Sequence, residues 1–187
     1  MENADLPPPR PPRQIDLVRL CRELNERGAR YVVIGGMAIN QPGLVRATED
    51  IGLLIESSRE NQERVRSALE MLPDKAVREV LPDDLDNYLV VRVADEIVVD
   101  LMLKACGITY EAAAPEITIR TLEGVPIPFA SAKLMLRLKE THREKVVLDR
   151  IRLTSHIRFS VDRTLRSTFM ASRCDRSVAD SWWLACP

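Results

Sequence analysis

Two short segments decide how this chain reads: Tyr31-Val32-Val33-Ile34-Gly35-Gly36 and, ten residues on, Arg46-Ala47-Thr48-Glu49-Asp50-Ile51-Gly52-Leu53. Four consecutive apolar residues closed by paired glycines have the form of a buried strand that stops at a tight turn. Met37 to Asn40 has room for one or two helical turns before the Pro42-Gly43 break. Residues 51–55 then predict a second strand, entered through a polar segment that carries Arg46, Thr48 and Asp50.

Working outward, Ile15, Leu17, Val18, Leu20, Cys21 and Leu24 recur at helical spacing before Gly28, which supplies a stop. Ahead of them, Pro7-Pro8-Pro9-Arg10-Pro11-Pro12 cannot continue a helix or join a central strand, because proline has no amide donor. Residues 1–13 are therefore expected to form an extended, disordered leader. On the other side, Ser57 or Ser58 can cap a helix carrying Val65, Ala68, Leu69 and Leu72 that ends at Pro73. Residues 82–86 read as a polar turn. Residues 88–93 and 96–103 read as two strands around Ala94-Asp95, and residues 117–122 and 125–129 as a hairpin around Glu123-Gly124. Ser131 is placed to cap a helix bearing Leu134 and Leu138. This order predicts an α/β (α+β) domain over residues 14–150, a small mixed sheet flanked by helices. Residues 151–187 form a poorly patterned basic tail whose closing Trp182-Trp183-Leu184 has no place in that scheme.

Composition narrows the function classes. Apolar residues make up 45% and charged residues 29% of 187 positions, enough for a core and a soluble surface, while a net charge of −1 gives no global attraction to nucleic acid or membrane. No apolar run approaches the roughly 20 residues of a spanning helix, and residues 1–13 lack the apolar segment of a secretory signal. Cys21, Cys106, Cys174 and Cys186 are scattered without a CxxC pair, which argues against a zinc site or a disulfide scaffold and fits reduced thiols in the cytoplasm.

Nucleotidyl transfer needs a backbone turn that lets a triphosphate come close, and carboxylates that hold divalent metal against it. Aspartates at i and i+2 of a strand point the same way and can share such ions. The segments quoted above, in their order, resemble the nucleotidyltransferase superfamily, and within it the AbiEii toxins and related minimal nucleotidyltransferases. The match is close over residues 17–54 and looser to about residue 149. The resemblance implies an enzyme that moves a nucleoside monophosphate from NTP to a hydroxyl of RNA, protein or a small molecule, with Mg²⁺ or Mn²⁺ as cofactor. It also implies a toxin–antitoxin or defence setting, with a cognate antitoxin or other partner protein.

Carried over residue by residue, Gly35 and Gly36 form the phosphate-facing turn. By the same resemblance Asp50 would be a metal ligand, and Asp100, within Val98-Val99-Asp100-Leu101, would be the third carboxylate, either ligand or general base. Arg46 and Thr48 stand at the mouth of the site, and Lys139 is a further phosphate contact. One departure dominates: the family's Asp-Ile-Asp reads Asp50-Ile51-Gly52 here, so a shared metal ligand is missing. Strand alternation sends Glu49 to the opposite face, so it is not expected to replace that ligand. Two readings therefore stand side by side: a metal-dependent nucleotidyltransferase, and a catalytically dead relative that binds nucleotide or a partner.

Overall fold

The computed structural model describes residues 8–40 and 48–138; Arg46, Lys139 and the whole of 151–187 lie outside them. Over this range the chain is an α+β domain, as its pattern of elements predicts. Helix α1 (Gln14–Glu26) buries the stripe Leu17, Val18, Leu20, Cys21 and Leu24 and ends before Gly28, whose φ of +63° suits a left-handed stop. Strand β1 (Tyr31–Ile34) is buried throughout, and α2 (Gly35–Asn40) follows it without an intervening loop. Strand β2 (Asp50–Ile55) leads to α3 (Arg59–Leu69), capped by Ser58, whose side chain accepts a hydrogen bond from the Asn61 amide. Buried Asn61 also accepts from the Arg30 amide and donates to the carbonyls of Arg30 and Glu56, fastening α3 to the entry of β1 and the exit of β2.

The stretch expected as a polar turn contains a helical turn, α4 (Asp84–Asn87), and a 3₁₀ turn (Ala76–Glu79) precedes it. Strand β3 (Val91–Ala94) begins three residues later than its apolar run suggests, because Tyr88, Leu89 and Val90 are solvent-exposed. It pairs antiparallel with β4 (Val98–Met102). Sequence reading missed the small ribbon β5 (Lys104–Ala105) with β6 (Ile108–Thr109), and the short α5 (Tyr110–Ala113). Strands β7 (Ile117–Leu122) and β8 (Val125–Ala130) form the expected hairpin, with positive φ at Glu123 and Gly124 as a two-residue turn requires. Helix α6 (Ala132–Arg137) starts at the Ser131 cap.

The six-stranded sheet runs β3-β4-β2-β1-β8-β7. Strands β2 and β4 are parallel, as are β1 and β8, and the remaining neighbours are antiparallel. Central β2 sends Ile51, Leu53 and Ile55 into one apolar layer, while Asp50 and Gly52 point to the other face at the start of the strand. No helix among the described residues is long and apolar enough to cross a membrane.

Candidate functional site

Register places the polar residues. Gly52 pairs with Ile34 on one side and Asp100 on the other, and Asp100 pairs with Arg92 on the edge strand. One row across four strands therefore reads Ile34, Gly52, Asp100, Arg92, with Asp50 one pleat away on the same face. Sequence reading singled out Gly52 and Asp100 in this row but not Arg92. Arg92 donates through Nε to Asp100 Oδ1 at 2.8 Å and through a terminal nitrogen to Oδ2 at 2.9 Å, a two-pronged pair. The same terminal nitrogen lies 3.9 Å from Asp50 Oδ2. Asp50 and Asp100, far apart in sequence, thus converge on a single guanidinium.

The Asp100 side chain is only 12% exposed, whereas Arg92 is 61% exposed and lays its head over the carboxylates from the solvent side. The hydrogen bond from Arg92 to Asp100, reinforced by the charges of Asp100, Asp50 and Glu49, raises the Arg92 pKa and keeps the guanidinium charged. Glu49 is closer to this site than strand alternation predicts. β2 begins at Asp50, so Glu49 sits in the preceding bend and lines the same cleft. That cleft encloses about 320 Å³ between Glu49, Asp50, Arg92, Val98, Pro9 and Pro11.

The proline segment reaches this wall because Arg10 is clasped. Its guanidinium donates to both oxygens of Asp16 at 2.7 and 2.8 Å and to Glu96 Oε1 at 2.7 and 3.0 Å. Its amide donates to the Glu96 carbonyl at 2.9 Å. Next to Glu96, buried Asp95 accepts from the amides of Asp74, Ala76 and Glu96, fixing the β3–β4 turn beneath the clasp.

The paired glycines have two different physical reasons. Gly35 has φ +74° and open space where a Cβ would project, so backbone conformation demands it. A Cβ on Gly36 would stand 2.5 Å from Thr48 Oγ1 and 2.7 Å from Thr48 Cβ, so close packing demands that one. Thr48 in turn donates to the Asp50 carbonyl at 2.9 Å, which shapes the entry to β2. At Gly52, an added Cβ would meet Ile34 Cγ1 at 3.2 Å and the Ile34 carbonyl oxygen at 3.4 Å. Position 52 is thus packed tightly as glycine.

These residues do not fit a two-metal centre. Two carboxylates converge, both oxygens of Asp100 are engaged by Arg92, and position 52 contributes no side chain. Among the described residues no group of three or more His, Cys, Asp or Glu side chains is arranged to hold a metal ion. A fixed guanidinium in the carboxylate pair also opposes a second cation electrostatically.

No protein-family model matches the chain, and no curated protein matches it. The solved structures similar to it include two of ANT(2'')-Ia. One is the solution structure of the antibiotic-resistance factor ANT(2'')-Ia, with 14% identity over 85% of this chain and 94% of that chain and a TM-score of 0.48. The other is the crystal structure of ANT(2'')-Ia in complex with adenylyl-2''-tobramycin, with 15% identity over 83% of this chain and 97% of that chain and a TM-score of 0.47. A likeness at this level decides neither family nor activity.

Proposed function

We propose that this chain is a nucleotidyltransferase-related domain that has lost metal-dependent transfer and acts by binding, with a nucleotide as its ligand class. One observation carries the loss: Gly52 occupies the row position between Ile34 and Asp100 where a carboxylate would face Asp100, and Arg92 engages Asp100 instead. Supporting the ancestry are the strand–Gly-Gly–short-helix order and the shared face of Asp50 and Asp100. The resemblance to the AbiEii group supports a toxin–antitoxin or defence setting with a cognate partner protein in the cytoplasm. Gly35 and Gly36 stand as the phosphate-facing turn, with Arg46, Thr48 and Lys139 as further contacts to the nucleotide.

A second reading is favoured by the convergence of Asp50 and Asp100: transfer of a nucleoside monophosphate from NTP to an RNA or protein hydroxyl survives with Mg²⁺ or Mn²⁺. Equilibrium dialysis with the four NTPs, alongside label transfer from the same NTPs, separates the two. Binding without transfer supports the first reading. Transfer that disappears in Asp50→Ala supports the second. Absence of both binding and transfer removes nucleotide from the account.

A further inference from the structure

We propose that Arg92 is the resident cation of this site, a side-chain guanidinium that holds Asp100 and Asp50 in place of a divalent ion and so excludes metal. This deepens the proposed loss of metal chemistry and rests on that reading. Three features on the sheet support it. The guanidinium fork meets both Asp100 oxygens at hydrogen-bond distance and comes within 4 Å of Asp50. These are the two carboxylates that the strand register brings to one face, and Glu49 lines the cleft beside them. Gly52, the row neighbour of Asp100 on the side away from Arg92, contributes no carboxylate there, and Asp100 pairs with Arg92 on the edge strand instead.

An ordinary cross-strand ion pair is the competing explanation, and it makes a different prediction. Such a pair contributes to the sheet and nothing more. A resident cation is also exchangeable: removing it turns the carboxylates toward divalent ions, and restoring the missing carboxylate completes the exchange. A charge-neutral amide at position 92 keeps much of the arginine's reach and removes its positive charge.

The test compares wild type, Arg92→Gln, Gly52→Asp and the double variant, with Mn²⁺ as the probe. Free Mn²⁺ is followed by its electron paramagnetic resonance signal, and thermal unfolding is recorded with and without Mn²⁺. The expected result is no saturable binding by wild type, weak binding by Arg92→Gln, and binding at least about 10-fold tighter in the double variant, since affinity follows the count of ligand charges. Mn²⁺ should raise the melting temperature of the double variant and leave that of wild type unchanged. Wild type binding Mn²⁺ as tightly as the double variant would overturn the proposal. So would a folded double variant that binds no better than wild type.

Where Arg92→Gln does not fold, Arg92→Met gives the same reading, because its unbranched side chain packs adaptably and carries no charge. Mn²⁺ binding must then rise above wild type, and no rise overturns the proposal. Failure here leaves the binding-only function standing or falling on the separate label-transfer assay. A wild type that binds Mn²⁺ yet transfers nothing contradicts only the role of Arg92.

Discussion

Two arginine–carboxylate clusters flank the same cleft, and they differ in what explains them. Arg10 joins Asp16 at the start of α1 to Glu96 in the β3–β4 turn, and each contact has a local structural purpose. Asp16 also accepts the Arg13 amide at 2.8 Å, so it caps the helix while anchoring the proline segment. Arg92 joins neighbouring strands that already pair through their backbones, and it engages an aspartate buried on the sheet face. The first cluster is accounted for by stability. The second joins strands whose backbones already pair, and the proposed loss of metal chemistry would make it what is left of that site.

The comparison can be broken at several points. Asp95→Ala should disturb both clusters together, because three amides lose their shared acceptor beneath the turn that carries Glu96. We expect a loss of about 3 kcal/mol in urea unfolding, a value typical of several hydrogen bonds to a buried charge. Gly36→Ala should cost about 1–3 kcal/mol through its clash with Thr48. That loss would show that close packing against Thr48 is one reason for the second of the paired glycines.

Asp16→Ala should cost about 1–2 kcal/mol, the range of a lost helix cap with a charged partner, and leave the response to Mn²⁺ as in wild type. Arg92→Gln should cost about 1 kcal/mol, discounted for its exposure, yet change that response. The two arginine clusters are therefore separable by metal sensitivity rather than by stability.

The pH dependence of the clasp has a defined sign. The hydrogen bond from Arg10 outweighs desolvation and lowers the Asp16 pKa from 3.8 to about 2. A lowered carboxylate pKa means that the pairing stabilises the folded state fully above about pH 4 and is lost as pH falls through about 2. Urea midpoints taken between about pH 5 and pH 2 should fall in wild type, and fall less in Asp16→Asn, which has no such carboxylate to protonate. Glu96→Gln should have the smallest effect, since that carboxylate is well exposed.

Much of the architecture was legible because its signals are local. The run Tyr31–Ile34 is apolar on both faces, as a central strand must be, and Glu123-Gly124 carries the chemistry of a two-residue turn. Serines at 58 and 131 cap the helices that follow them. Gly52 was read as a departure from the family's Asp-Ile-Asp through the resemblance alone, since a glycine in a strand carries no such signal by itself. Arg92 was not legible for the opposite reason. In the alternating Val91-Arg92-Val93 it has the pattern of any solvent-facing arginine, and its partner follows only from hairpin register. A turn centred on Ala94-Asp95 pairs Arg92 with a residue short of Asp100, whereas the observed turn, centred near Glu96, brings the two together. Asp95 was read as a turn residue, but its buried acceptor role depends on amides contributed by residues 74 and 76. Glu49 was misassigned because a strand alternation was extended one residue beyond the start of β2.

The most direct test of the central claim is transfer of label from α-³²P NTPs by the unaltered protein, with Mg²⁺ or Mn²⁺ and with RNA, protein and the chain itself as acceptors. The account predicts no incorporation above that of an Asp50→Ala, Asp100→Ala control, while NTP binding remains measurable. Metal-dependent incorporation by the unaltered protein that vanishes in the control would contradict it.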